Sequence, residues 1–236
     1  MTSDNVGSIQ PELILNPLAQ ATLRDLLSVW LEFELALPTT PIIKRLYAGH
    51  FTSKDYQTLL RNLRQQVVEG ARWISRAASS LDRSFLDERS IVIGHAREEH
   101  RDYEILERDF VAAGGVADVI RTTDKNIGSE ALHGFLMNEA SQPNSIQMIG
   151  AMFIIEGLGE KMASSWSEMI QEQTGLPDEA FQFLRYHGAN DEDHLEKLRI
   201  LLNTPQLDEQ SAQRIVKVAK VVARLYRLQL EELDNV

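Results

Sequence analysis

Arg185-Tyr-His-Gly-Ala-Asn-Asp-Glu-Asp-His-Leu-Glu-Lys-Leu198 carries two histidines and an aspartate, His187, Asp191 and His194, at offsets of zero, four and seven. At about 100° per residue, those offsets place three side chains in one narrow stripe of an α-helix. Two imidazoles and a carboxylate form a donor set for iron, manganese or zinc, and they leave coordination positions open for chemistry. The consecutive acids Asp191, Glu192 and Asp193 offer the plainer alternative of a solvated helix face.

The surrounding segments are helical as well. Apolar residues at helical spacing run from Leu18 to Leu35 and stop at Pro38 and Pro41. A short helix over Ile42 to Ala48 ends near Gly49, and Thr52 or Ser53 caps a long helix to about Leu81. Asp87 to Ala113 reads as another helix, closed by Gly114 and Gly115, with 118–126 a polar connector and Ser129 to Ala140 a shorter helix. Ile146 to Thr174 is a largely apolar helix holding Gly150, Gly157 and Gly159, which suit close approach of another backbone. Pro177 opens the helix of the His stripe, and Ser211 to Leu233 forms an amphipathic last helix. No segment alternates as a strand does. The expected fold is all-α, a helical bundle with an interior site: residues 17–236 form a single domain behind a flexible segment, 1–16.

Composition narrows the chemistry. The 236 residues hold 24 Lys and Arg against 35 Asp and Glu, a formal charge of -11, which disfavours nucleic acid and anionic membranes as partners. The absence of cysteine removes disulfides, thiolate ligands and a cysteine nucleophile. Neither a secretory leader nor an apolar run of spanning length is visible, so a cytoplasmic location is expected.

One helix face cannot surround an ion, so other helices must supply ligands. Glu156 is the only charge in Ile146-Gln-Met-Ile-Gly-Ala-Met-Phe-Ile-Ile-Glu-Gly-Leu-Gly159, and a carboxylate in apolar surroundings demands a partner. His95, Glu99 and Asp102 repeat the zero, four, seven offsets of the His187 stripe, while Glu98 and His100 point elsewhere on that helix. Glu130-Ala-Leu-His133 has Glu-x-x-His spacing but stands alone. Met148, Met152 and Phe153 are candidate apolar walls, or ordinary core. Nucleotide-loop, serine-elbow and His-Glu-x-x-His zinc motifs are absent.

These residues resemble the heme-oxygenase-like superfamily, in particular its non-heme di-iron oxidase and oxygenase branch. The likeness spans residues 18 to 203. It rests on Tyr47-Ala-Gly-His-Phe-Thr-Ser-Lys-Asp-Tyr56, on the Glu98-Glu99 segment ending at Gly114, on Gly150 to Gly159 around Glu156, and on His187-x3-Asp191-x2-His194. The resemblance implies metal ligation by Glu99, Glu156, His187, Asp191 and His194, with His187, Asp191 and His194 on one face, Glu156 bridging or capping, and Glu99 completing the second metal's shell. The branch has a His shortly after its first Glu; here Asp102 stands at that place, so His95, His100 or Asp102 is the candidate sixth ligand.

By the same resemblance the chain is an oxidase or oxygenase that activates dioxygen on a small organic substrate with two Fe per chain, or Fe and Mn, and forms a homodimer. A cofactor-independent oxidase resembling pyrroloquinoline-quinone synthase, and a non-catalytic helical ligand-binding protein, are the alternatives. Thiaminase-type relatives use a cysteine, which this chain lacks, and heme oxygenase itself uses a His on its first helix, whereas Leu18 to Leu35 has none.

Overall fold

Side-chain caps mark where several helices start in the computed structural model, which describes residues 14–235, with the side chains of all but 189–193 and 235. Asn16 accepts from the Ala19 amide to open α1 (Pro17–Ala36), satisfying a donor the first turn leaves over. Thr52 and Asp55 form a reciprocal capping box at the start of α3 (Ser53–Val67). Asn126 and Asp208 do the same work for α8 (Ile127–Ala140) and α12 (Glu209–Glu231). The expected flexible segment 1–16 lies mostly outside the described residues. Its described end is tied down: the Asn16 amide donates to Asn203 Oδ1 at 2.8 Å, and Asn203 Nδ2 donates to the Ile14 carbonyl.

Between these helices lie α2 (Pro41–Tyr47), α4 (Gly70–Ser80), α5 (Leu86–Glu99), α6 (Tyr103–Ala112) and α7 (Ala117–Thr122). After α8 come α9 (Met148–Leu158), α10 (Ser164–Thr174) and α11 (Gln182–Leu202). No strand occurs among the described residues, in keeping with the all-α expectation. No single helix there is long and apolar enough to cross a membrane.

Five expected elements differ from the structure. The helix expected from Thr52 to Leu81 breaks at Val68 and Glu69, just before Gly70, a poor helix former. The one expected over 87–113 breaks at 100–102, where the Asp102 amide reaches back only three residues, to the Glu99 carbonyl. The polar connector 118–126 contains a turn and a half of helix, α7, held by the buried Ile120. The helix expected over 146–174 is interrupted by a π-helical turn, Gly159–Ala163, and α11 begins after a 3-10 turn, Asp178–Phe181, instead of at Pro177.

Buried apolar residues from Leu15 to Leu233 form one continuous cluster. The last helix runs through its middle, packed on α1, α8 and α9. Trp30, Phe33 and Tyr226 meet edge to face between α1 and α12, with centroids 5.7 and 6.3 Å apart. Gly150 is where α9 and α12 come closest: a Cβ there would overlap the Ile215 carbonyl oxygen. Through this packing α12 presses α9, and with it Glu156, toward α5 and α11.

Candidate metal centre

Three helices meet around Glu156. From α5 come His95 and Glu99, one turn apart; α11 supplies His187 and His194, two turns apart; and Asp102 enters from the break after α5. His95, Asp102, Glu156, His187 and His194 are all buried, and Glu99 is nearly so. The start of α11 is anchored on α6 and α3. Asp109, wholly buried, accepts from the Phe183 amide at 2.7 Å, and Tyr56 donates to the Ala180 carbonyl at 2.7 Å while stacking on Phe181. Burial pushes the Asp109 carboxyl up to about 6, against the pull of those amides. Gly188, next to His187, sits where any Cβ would strike Ser164, the first residue after the π turn. The π turn thus receives α11 directly, as such turns often do beside functional sites.

The potential ligand atoms fall into two groups that share Glu99. One is His95, Glu99, Glu156 and His194; the other is Glu99, Asp102 and His187, with the atoms of each group within 4.8 Å of one another. Glu156 lies between two imidazoles: Oε1 is 3.1 Å from His95 Nε2, and Oε2 is 3.0 Å from His194 Nδ1. The two rings stand perpendicular at 4.6 Å. His194 Nδ1 is also 3.7 Å from Glu99 Oε1, and its Nε2 is 3.3 Å from Glu98, which Lys197 pairs from outside. His187 Nε2 is 3.5 Å from Asp102 Oδ2, and Phe183 and Tyr186 flank its ring.

This arrangement splits the acids. Burial works against ionisation of Glu156, but hydrogen bonds with His194 and His95 outweigh it and hold the carboxyl below the usual range. Glu99 goes the other way: burial, then the negative charge of Glu156, push it up to about 7. Glu99 Oε1 is buried without a hydrogen-bond partner, beside the ionised Glu156. Such crowding of buried acceptors is costly in a bare protein and is what a divalent cation relieves. The donors, nitrogen and oxygen with no sulfur, fit iron or manganese.

The expected ligands are therefore distributed as follows. His187 and His194, expected together on one face of the centre, lie in different groups, seven residues of α-helix carrying them about 10 Å apart along the axis. Glu99 stands between the groups, where Glu156 was the expected bridge. His95 and Asp102 both enter the cluster, one in each group; His100 is exposed on the outer surface and joins neither. The side chain of Asp191 lies outside the described residues. His133 is half-buried and interacts with Glu69, away from both groups.

A cavity of about 90 Å³ opens beside Glu99, Glu156 and His187, walled by Trp73, Ile155, Leu158, Trp166 and Phe183 among others. Met148, Met152 and Phe153, the expected walls, are buried in the core and do not line it. Asp109 escaped the sequence reading, since an acid in Arg-Asp-Phe looks like any surface charge; nothing local marks it as the cap of a helix 73 residues on.

Residues 76–227, more than half of the chain, match the model of a family described as iron-containing redox enzymes. The chain belongs to that family. No curated protein matches it. Among solved structures it is similar to a domain of unknown function with a heme oxygenase-like fold from Shewanella denitrificans, with 16% identity, TM-score 0.82, and 92% of this chain and 91% of that one covered. It is also similar to a TenA homologue from Pseudomonas syringae, with 11% identity, TM-score 0.76, and 94% of each chain covered. Heme oxygenase-2 from Synechocystis, solved with heme and NO, aligns at 17% identity and TM-score 0.64 over 93% of this chain and 86% of that one. At such identities the structural likeness establishes the fold, which is heme oxygenase-like.

Proposed function

We propose that this chain is a non-heme oxidase or oxygenase that holds two metal ions, iron or iron with manganese, and uses dioxygen on a small organic substrate. The observation that carries the reading is the sharing of Glu99 by two buried groups of His and carboxylate atoms. In this reading His95, Glu156 and His194 would hold one ion and Asp102 and His187 the other, Glu99 would serve both, and Asp191 is the further ligand expected from the sequence. Family membership supports iron. When bound, iron supplies the one-electron steps that dioxygen requires.

The chain's own residues set the conditions for that chemistry. Glu156, held ionised between two imidazoles, offers fixed negative charge in a dry site. Glu99, pushed up to about 7 in the metal-free chain, would give up its proton on ligation and so couple metal binding to pH. Ile155, Leu158, Trp166 and Phe183 exclude water from the space where substrate and oxygen meet.

A metal-free acid–base oxidase is the second reading, favoured by the way Glu156 already satisfies His95 and His194. Metal analysis after anaerobic addition of ferrous iron, followed by optical spectra on exposure to oxygen, separates the two. Uptake of about two irons per chain, with a transient absorption that forms on oxygenation, is expected. His187→Ala is expected to lower uptake to about one. No specific uptake, with oxygen consumption unaffected by chelators, would establish the metal-free reading instead.

A further inference from the structure

Trp73 carries a hydrogen-bond donor that nothing in the fold uses. The residue sits on α4, 2% exposed, with its indole in the wall of the cavity beside Glu99, Glu156 and His187, and its Nε1–H is buried without a partner. The other cavity tryptophan differs, since Trp166 donates from Nε1 to the Tyr47 hydroxyl at 3.2 Å. Buried donors in folded proteins are nearly always paired, so an orphan in a cavity wall is a place made for an acceptor on whatever fills the cavity.

Charge restricts that occupant. No Lys or Arg lines the cavity among the described residues, while two carboxylates do. Arginines close in sequence to the site are engaged outside it: Arg185 binds Gln171 and Asp178, Arg72 binds Glu69, and Arg101 binds Glu104. In the metal-free chain an anionic group entering the cavity would lose its water and meet two carboxylates with no Lys or Arg to offset them. Size restricts it further. A volume of about 90 Å³ corresponds to roughly three waters' share of liquid, or about four non-hydrogen atoms when scaled from cavities of ~150 Å³ that take benzene.

We infer that the cavity binds the uncharged, compact end of an apolar molecule through one acceptor oxygen, a carbonyl or ether, received by Trp73 Nε1–H. The inference deepens the proposed function only in treating this occupant as the substrate; the binding itself needs neither metal nor oxygen. Trp73 is then a specificity residue for a carbonyl or ether oxygen, and in the metal-free chain the two carboxylates beside it disfavour an anionic occupant.

Acetone and acetate, isosteric with four non-hydrogen atoms each, test the point on the full chain freed of metal. The chain has three tryptophans, so the indole N–H region of a ¹⁵N-labelled spectrum holds three resonances, and Trp73→Phe assigns one of them by its loss. Acetone is expected to move the Trp73 resonance downfield in a saturable way and to bind Trp73→Phe about 5- to 10-fold more weakly, the worth of one neutral hydrogen bond. Acetate is expected to leave that resonance in place. The inference is overturned if acetone does not shift the resonance, if Trp73→Phe binds acetone equally well, or if acetate binds as tightly as acetone. The wild-type titration decides even if the variant folds poorly. A chain that takes up no iron yet shows the acetone shift would lose the proposed function and keep this site.

Discussion

Glu99→Gln tests the electrostatics of the centre most directly. In the metal-free protein the Glu99 carboxyl is pushed from an ordinary 4.5 to about 7, first by burial and then by Glu156. Below pH 4.5 both folded and unfolded chains are protonated at this residue, and it contributes nothing to pH dependence. Between 4.5 and 7 the folded chain keeps a proton that the unfolded chain has lost, so stability falls as pH rises; above 7 the penalty is complete. A shift of that size corresponds to about 3 kcal/mol at ~1.36 kcal/mol per pKa unit. Glutamine keeps the shape and cannot ionise.

The stability difference between Glu99→Gln and wild type is therefore expected to grow by about 3 kcal/mol in favour of the variant between pH 4.5 and pH 8. Denaturant unfolding of both proteins after chelation, at several pH values, measures it. In melting temperature the change amounts to roughly 6–12 °C for a chain of this size. Parallel stability curves across that range would refute the assignment of Glu99 as a buried, charge-crowded acid. A constant offset between the curves would not bear on it, because it reflects packing of the amide alone.

Other perturbations follow from the same geometry. His95→Ala is expected to remove most iron uptake while His100→Ala, at the exposed position, leaves it unchanged; metal analysis of the two variants compares them directly. Iron binding at pH 6 to 7 should release more protons than at pH 8.5, because Glu99 must give up its proton to ligate; a pH-stat or calorimetry in buffers of different ionisation heat reads this. Asp109→Ala, which uncaps α11, should cost about 1–2 kcal/mol in urea unfolding and weaken metal binding as well, since His187 rides on that helix. Gly150→Ala is expected to destabilise by about 1–3 kcal/mol despite alanine's better helix propensity, because the new methyl meets the Ile215 carbonyl; a raised midpoint would show that α9 and α12 separate easily.

The helices were legible because apolar spacing, caps and breakers act within a few residues. Pro41, Thr52 and Gly114 mark boundaries for reasons that do not depend on the rest of the chain. The breaks at 100–102 and 159–163 were not legible, since each answers to a partner distant in sequence. Asp102 turns inward toward His187, 85 positions later, and the π turn accommodates Gly188 of α11. The candidate ligands show the same division. Glu156 advertises itself as a lone charge among apolar residues, and His95, Glu99 and Asp102 as a stripe. Which of them come together in one group depends on how α5, α9 and α11 cross, and periodicity carries no information about crossing. The donor in the cavity wall was hidden for a similar reason: a tryptophan looks alike in sequence whether its N–H is satisfied or bare.

The π turn at Gly159–Ala163 has a consequence for how this chain tolerates changes in length. A single π turn amounts to one residue inserted into an α-helix, and one residue is about 100° of rotation. Everything before the turn, Glu156 included, is thus out of phase with everything after it, Trp166 included. Deleting any one residue from 159–163 would restore an unbroken, intrinsically better helix, and it would swing either the carboxylate out of the centre or the indole out of the cavity wall. Substitutions in this stretch can be mild while a one-residue deletion is not, so in comparing relatives the spacing between the positions of Glu156 and Trp166 is more diagnostic than the identity of the residues between them.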